Sequence, residues 1–262
     1  MKGASWRAAL PPALLLAAAC QSVPYTGRSH LILVSSSEEI QMGEQAYRDT
    51  LKKSKLSMDQ EALETIRRVG LRIAKAADRP DFRWEFNLIE DDKTINAWCL
   101  PGGKVAFYTG ILPITLGEDG IAVVMGHEVA HALARHGSER MSQGMIANAG
   151  ERVAGILLAG SSFLTQEVFG QAYGLGVGLG VMLPFSRKQE SEADLIGLIL
   201  MAKAGYDPSE AVQFWKRMQK AMGGSGSPMA EFLRTHPNDE KRQRQIQAWL
   251  ADIKEKYYRP RQ

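Results

Sequence analysis

The pattern of apolar and polar residues along the chain predicts helices first and a small sheet after them. Between residues 36 and 78 apolar side chains recur at helical spacing, and Asp78-Arg79-Pro80 ends that pattern. The turn Pro101-Gly102-Gly103 lies among three stretches with strand character, namely Trp84 to Glu90, Asn96 to Leu100 and Val105 to Thr109. We therefore expect a short sheet that follows these helices.

The rest of the chain has a mostly helical pattern, which makes the predicted fold class α+β and mainly helical. The apolar stretch from Ile121 to Ala134 predicts a buried helix. A C-terminal helix is expected to dock on the domain through one face, which carries Ile246, Trp249, Leu250 and Ile253.

Residues 141–185 are rich in glycine and nearly uncharged from Val153 onward. Because Gln166, Gln171 and Pro184 interrupt the apolar run, we favour a buried or lid-forming helical segment over a membrane span. A peripheral membrane contact is the intermediate option.

The first residues have the character of a signal peptide. Lys2 and Arg7 precede a short apolar segment that ends at Cys20, and the residues before Cys20 resemble an imperfect bacterial lipobox. We expect residues 1–19 to be removed as a lipoprotein-type signal peptide, Cys20 to be lipidated, and residues 20–35 to form a lipid-anchored tether. Gln21 after the cysteine suggests sorting to the outer membrane facing the periplasm. A plain secretory cleavage near Cys20 is the alternative.

Charge and cysteine content narrow the classes of partner. Without residues 1–19 the chain has thirty basic and twenty-nine acidic residues, so we expect no nucleic-acid partner. Cys99 is the second of two cysteines, so no intrachain disulfide is possible if Cys20 is acylated.

His127-Glu128-Val129-Ala130-His131, inside the apolar stretch, carries the strongest chemical signal. Side chains four residues apart share a helix face, so both histidines can reach one metal ion while Glu128 lies beside it. Zinc with three protein ligands keeps a position for water, and a nearby carboxylate can take the proton of that water. This is the chemistry of peptide-bond hydrolysis, and one zinc ion is the expected cofactor.

A third ligand is expected on the later helix that begins near Glu190. Glu190 and Asp194 share a face, whereas Glu192 lies about 200° around the helix from Glu190. We therefore predict Glu190 as the ligand and Asp194 as the acceptor that orients a ligand histidine. His136 lies five residues beyond His131 and is expected to point away from it, in a structural role.

At these motifs the chain resembles the metallopeptidase family of the CAAX prenyl proteases and the HtpX-type quality-control proteases. The resemblance includes the residues from Pro24 to Arg28, the two motifs above, and Arg234-Thr235-His236-Pro237 with Arg242 beyond. Within that family the chain is most similar to periplasmic lipoprotein members of the outer membrane. The resemblance implies a zincin-like (gluzincin) metallopeptidase domain over residues 36–262, with the sheet beside the helix of the two histidines.

The resemblance also implies a role for each matching residue. His127, His131 and Glu190 are implied zinc ligands and Glu128 the general base. His236 and Arg242 are implied to help bind the transition-state oxyanion or the substrate, and in some members the late histidine fills the open zinc position. The glycine- and serine-rich residues 223–228 would permit such movement of His236.

These observations predict a zinc endopeptidase acting on misfolded or misassembled cell-envelope proteins, bound to the membrane by its lipid. Asn96 and Ala97 are the candidates for a strand edge that holds substrate through its main chain, the alternative being a turn-capping Asn beside a core Ala. The rival function is a chaperone or assembly factor for outer-membrane proteins, with latent protease activity gated by His236 and with the outer-membrane assembly machinery as partner.

Overall fold

The computed structural model describes residues 20–146, 183–221, 236 and 240–261. Two helices open the domain: α1 spans Ser36–Lys53 and α2 spans Gln60–Ala77. The helical prediction for residues 36–78 is confirmed, including its end, because Asp78 adopts the left-handed conformation that terminates α2. Ser35 caps α1 with its side chain, and Asp59 caps α2 in the same way.

Five strands within the described residues form two small sheets. A hairpin pairs β1 (Cys20–Ser22) with β2 (Ser29–Leu31), and a three-stranded sheet has the order β3 (Glu85–Ile89), β5 (Lys104–Tyr108), β4 (Ala97–Leu100). β5 is parallel to β3 and antiparallel to β4. The three predicted strands of this sheet are therefore confirmed, and β4 is an edge strand.

The remaining helices surround the central helix of the domain. A 3₁₀ turn at Thr109–Ile111 and the short α3 (Leu112–Thr115) lead into α4 (Glu118–Leu133), and residues 136–146 are again helical. The later helices are α5 (Leu183–Lys203), α6 (Glu210–Ala221) and α7 (Glu240–Tyr257). The predicted docking face of α7 is confirmed, since Ile246, Leu250 and Ile253 are buried in the core.

Residues 20–35, predicted as a tether, pack on the domain. Val23, Ile32 and Val34 are buried, and Val23 belongs to the main hydrophobic core. Lipidation of Cys20 stays a prediction, as do the domain boundaries. Residues 1–19 and most of the predicted helical segment 141–185 lie outside the described residues. Among the residues that the structure describes, no helix is both long enough and apolar enough to cross a membrane.

Helices α4 and α5 cross at two glycines that let their backbones touch. A Cβ atom on Gly126 would lie 2.8 Å from the carbonyl oxygen of Gly197, and one on Gly197 would lie 2.9 Å from the amide nitrogen of His127. Gly126 directly precedes His127, and Gly197 lies one turn beyond Asp194. This contact therefore fixes the spacing between the two helices that carry the predicted metal ligands.

We expect Gly197→Ala to lower the free energy of unfolding by about 1–3 kcal/mol, because the added methyl group forces the two backbones apart. Urea unfolding followed by circular dichroism measures this. Gly144→Ala is the matched control, since Gly144 is helical and a Cβ atom added there would meet no atom of the described residues within 4 Å. It should be neutral or stabilising by about 0.5–1 kcal/mol. Equal effects of the two substitutions would contradict this role of the crossing.

Candidate metal centre

Four side chains from three parts of the fold converge beside α4. His127 and His131 come from α4, Glu190 from α5, and His236 lies ahead of α7. One donor atom of each lies within 4.8 Å of the others. His127, Glu190 and His236 are buried, and His131 is partly exposed. The structure thus brings together the three predicted ligands and the late histidine.

The separations of these donor atoms fit one zinc ion. His127 Nε2 lies 3.1 Å from His131 Nε2, 3.4 Å from Glu190 Oε2 and 3.2 Å from His236 Nδ1. Glu190 Oε1 lies 3.3 Å from His131 Nε2. A tetrahedral zinc ion with bonds of about 2.0–2.1 Å separates its ligand atoms by about 3.3 Å. Three imidazoles and a carboxylate are also the donor types that zinc prefers.

Glu128 lies beside this cluster in a position that suits a base. Its side chain is buried, and its Oε1 has no hydrogen-bond partner among the described residues. Oε1 lies 3.6 Å from His236 Nε2. Burial raises the pKa of Glu128 above its ordinary value, which strengthens the carboxylate as a proton acceptor.

Asp194 and Arg242 form a layer behind the cluster. Asp194 Oδ1 lies 3.0 Å from His127 Nδ1, which fits the predicted orienting role. Arg242 donates to both oxygens of Asp194, at 2.7 and 2.8 Å, and its Nη1 lies 3.1 Å from Glu190 Oε2. Burial alone would raise the pKa of Asp194, but Arg242 and His127 hold this pKa below its usual range.

Arg242 lies near the metal cluster, as the resemblance implies, and its part in binding the oxyanion or the substrate stays a prediction. Its guanidinium group stacks on Trp215, 4.4 Å from the ring centroid, and is buried between carboxylates. It therefore holds the two carboxylate side chains Asp194 and Glu190 at the metal cluster. Burial alone would raise the pKa of Glu190, but the three histidines hold this pKa well below the usual range.

His136 corrects an expectation from helical geometry. The helix does not continue through it, because α4 ends at Leu133 and Arg135 adopts a left-handed conformation with φ +54°. This turn brings His136 Nδ1 to 2.9 Å from His131 Nδ1. The sequence gives no signal of it, since a non-glycine residue in this conformation is uncommon.

An open cleft leads from the solvent to the cluster. One wall is the run from Asn96 to Pro101, which includes β4, and the opposite side includes Glu128, His131 and Glu190. Arg140 and Glu39 also line the cleft, and sequence reasoning did not identify either of them. Asn96 and Ala97 do lie at this wall, next to Cys99.

Comparison with known proteins agrees with this geometry. A model described as Peptidase family M48 matches residues 60–250. Mitochondrial metalloendopeptidase OMA1 of Schizosaccharomyces pombe is 39% identical over 237 residues, covering 89% of this chain and 67% of the relative. The protein of the same name from Saccharomyces cerevisiae is 32% identical over 252 residues, which cover 89% of this chain and 70% of that relative. The beta-barrel assembly-enhancing protease of Escherichia coli K12 is 29% identical over 230 residues, covering 84% and 45%.

These relatives correct the predicted localisation. The relatives with 32–39% identity are named as mitochondrial enzymes, which contradicts the periplasmic, outer-membrane assignment. The similarity to the beta-barrel assembly-enhancing protease of Escherichia coli K12, at 29% identity, is weaker than the similarity to these relatives. The localisation had rested on the predicted signal peptide and lipobox, on Gln21 after Cys20, and on the resemblance to periplasmic lipoprotein members.

Proposed function

The chain belongs to peptidase family M48, and we propose that this zinc metalloendopeptidase cleaves unfolded protein segments that it binds in an extended conformation along β4. The observation that carries the proposal is that the edge strand β4 and the cluster of Glu128 and His131 line one cleft. An added strand bonds to main-chain groups that every peptide has, which predicts low side-chain selectivity. The predicted restriction to cell-envelope substrates depended on the localisation that the mitochondrial relatives contradict.

The backbone of β4 offers particular groups to such a strand. Asn96 accepts a hydrogen bond from the amide of Tyr108, and paired residues alternate between bonded and non-bonded in an antiparallel ladder. Asn96, Trp98 and Leu100 therefore bond inward to β5, which directs the N–H and C=O groups of Ala97 and Cys99 outward. The Asn96 side chain accepts from the amide of Ala97 at 2.9 Å, so it covers one of these donors. Cys99 is a further edge residue that the sequence did not indicate.

Each functional side chain has a defined part in the hydrolysis. His127, His131 and Glu190 are the zinc ligands, and zinc bound there supplies a Lewis acid that polarises a carbonyl group and makes water more acidic. Glu128 accepts a proton from the attacking water at its carboxylate and returns it to the leaving amine. Asp194 holds His127 with its Nε2 atom directed into the cluster, and Arg242 holds Asp194.

The proposal predicts that substrate folding, and not substrate sequence, decides cleavage. We expect reduced and alkylated α-lactalbumin to be cut at several sites, while the native disulfide-bonded form of the same sequence is cut at least about tenfold more slowly. Gel electrophoresis and mass spectrometry of the products measure this. Glu128→Gln is the control for a contaminating protease. Equal rates on the two forms would contradict binding as an extended strand.

We further propose that His236 holds the site in a resting state. Its Nδ1 lies 3.2 Å from both His127 Nε2 and Glu190 Oε2, in the position that a catalytic zinc site leaves to water. A site closed in this way binds clients along β4 without cutting them, which favours the chaperone with latent protease activity as the second candidate function. Movement of His236 out of the cluster would restore hydrolysis.

If His236 closes the site, His236→Ala is expected to raise turnover of unfolded casein about tenfold or more, the factor expected when the closed form holds about 90% of the molecules. Zinc content per chain should stay at one, because three ligands remain. The double variant with Glu128→Gln should be inactive. A fall in turnover of His236→Ala would instead assign His236 to the transition state and contradict the gating proposal.

A further inference from the structure

A second series of hydrogen-bonded polar side chains lies behind the metal cluster, on the side of His131 that faces away from the cleft. His131 Nδ1 lies 2.9 Å from His136 Nδ1, and His136 Nε2 lies 3.0 Å from Glu192 Oε2. The side chain of His136 is fully buried, and that of Glu192 is 6% exposed. None of these contacts is part of the proposed hydrolysis, so Glu192 and His136 need another explanation.

Glu192 is the last residue of this series, and it sets the direction of each hydrogen bond between the side chains. Thr26 and Arg28 each donate to one oxygen of Glu192, so this carboxylate acts as an acceptor. An imidazole that donates to it from Nε2 accepts at its Nδ1, which is the arrangement of His136. His131 must then donate from Nδ1, which leaves the lone pair of its Nε2 atom directed at the metal cluster. Glu192 thus selects the tautomer of His131 through one intervening imidazole.

The N-terminal hairpin holds Glu192 in place. Arg28 donates from Nε to Glu192 at 2.8 Å, and the Thr26 hydroxyl donates to the other oxygen of the same carboxylate. The two terminal nitrogens of Arg28 bond the two oxygens of Glu139, at 2.7 and 2.8 Å. One guanidinium group therefore connects the hairpin to α5 and to the helical residues 136–146. Arg28 precedes β2 directly.

The two histidine ligands of α4 have parallel supports. His127 is held by Asp194, which Arg242 holds, whereas His131 is held by His136 and Glu192, which Arg28 holds. Arg242 lies within residues 60–250, the part that matches the family model, but Arg28 lies ahead of it. One support is thus internal to the peptidase domain, and the other comes from the segment that links it to the start of the chain.

We propose that Thr26 and Arg28 are positioning residues for the zinc site, acting on the ligand His131 through Glu192 and His136. Docking of the hairpin and binding of zinc then stabilise each other, so displacement of the N-terminal segment loosens the metal. The inference rests on the proposed assignment of His131 as a ligand. A loss of outer partners of this kind lowers metal affinity by about 10–100-fold.

The first test measures zinc affinity by competition with a chromophoric chelator on the full chain. We expect Arg28→Ala and His136→Phe to raise the dissociation constant for zinc about 10–100-fold. Arg261→Ala is the matched control, because Arg261 also joins two carboxylates, Glu118 and Asp119, and is 28% exposed against 25% for Arg28. Its zinc affinity should be that of the wild type. Unchanged affinity in Arg28→Ala and His136→Phe would overturn the proposal.

One further variant separates this inference from the ligand assignment. His131→Ala must lose zinc affinity by more than either positioning variant if His131 is a ligand. Unchanged affinity in His131→Ala would refute the metal site itself, and with it this inference. A loss in His131→Ala without any loss in Arg28→Ala or His136→Phe would refute the positioning role alone.

The second test uses the wild-type chain and does not depend on the folding of a variant. The amides of Val23 and Gly27 donate backbone hydrogen bonds inside the hairpin turn. Because coupling is reciprocal, zinc should slow their hydrogen exchange relative to the zinc-free chain. Arg28→Ala should lose this response while amides of α5 retain theirs. Exchange in the hairpin that is equal with and without zinc would overturn the proposal.

Discussion

Glu128→Gln is expected to lower kcat for unfolded casein by about 10²–10⁴-fold while one zinc ion per chain stays bound. The substitution keeps the size of the side chain and removes its ability to take a proton. Glu128 is buried beside the cluster but contributes no atom to the four-donor set, so the metal ligands are unaffected. Initial rates together with zinc content from atomic absorption provide the measurement.

A matched control for this variant is Glu39→Gln. Glu39 is a second buried glutamate that lines the same cleft, but its carboxylate pairs with Arg135 and is not among the metal-cluster donors. Its replacement should leave kcat within about tenfold of the wild type. Retention of turnover by Glu128→Gln would eliminate Glu128 as the base, and loss of zinc would show that Glu128 belongs among the ligands.

Arg242→Ala is expected to destabilise the domain by about 3–5 kcal/mol, the cost of removing one partner from a buried ion pair. Arg242 is 5% exposed, and its removal leaves Asp194 and Glu190 buried without their cation. Because zinc itself offsets the charge of Glu190, the loss should be larger in the zinc-free chain. Urea unfolding followed by tryptophan fluorescence, with and without zinc, measures both values.

Arg261→Ala provides the comparison for Arg242→Ala. Its ion pairs with Glu118 and Asp119 are partly exposed, so we expect a loss of about 1 kcal/mol or less. If the two substitutions lower the free energy of unfolding equally, the buried layer behind the cluster does not have the stabilising role that its geometry indicates.

Much of the fold followed from local sequence signals. The C-terminal end of α2 and the three-stranded sheet were predictable because Asp78 and the Pro101-Gly102-Gly103 turn mark them locally. Helical geometry alone separated Glu190 from Glu192, and the structure places the two carboxylates on opposite sides, one at the metal cluster and one at His136. In these cases the local sequence, together with the geometry of a single helix or turn, was sufficient for the prediction.

The rest depended on contacts between distant parts of the chain. His136 returns to His131 only because Arg135 breaks the helix in a left-handed conformation. Arg28 reaches Glu139 and Glu192 across more than a hundred residues of sequence, which no local pattern of the predicted tether indicates. Arg242 was expected near the substrate from the resemblance alone, which carries no information on which carboxylates it contacts.

We propose that a single zinc ion held by His127, His131 and Glu190 hydrolyses peptide bonds. The most direct test of this claim is a zinc titration of the chelator-treated full chain with unfolded casein, in the wild type and in His236→Ala. Cleavage should rise in proportion to zinc up to one ion per chain, stay constant beyond that, and be absent throughout in Glu128→Gln. Cleavage without zinc, or none in either chain at one bound zinc ion, would contradict the claim.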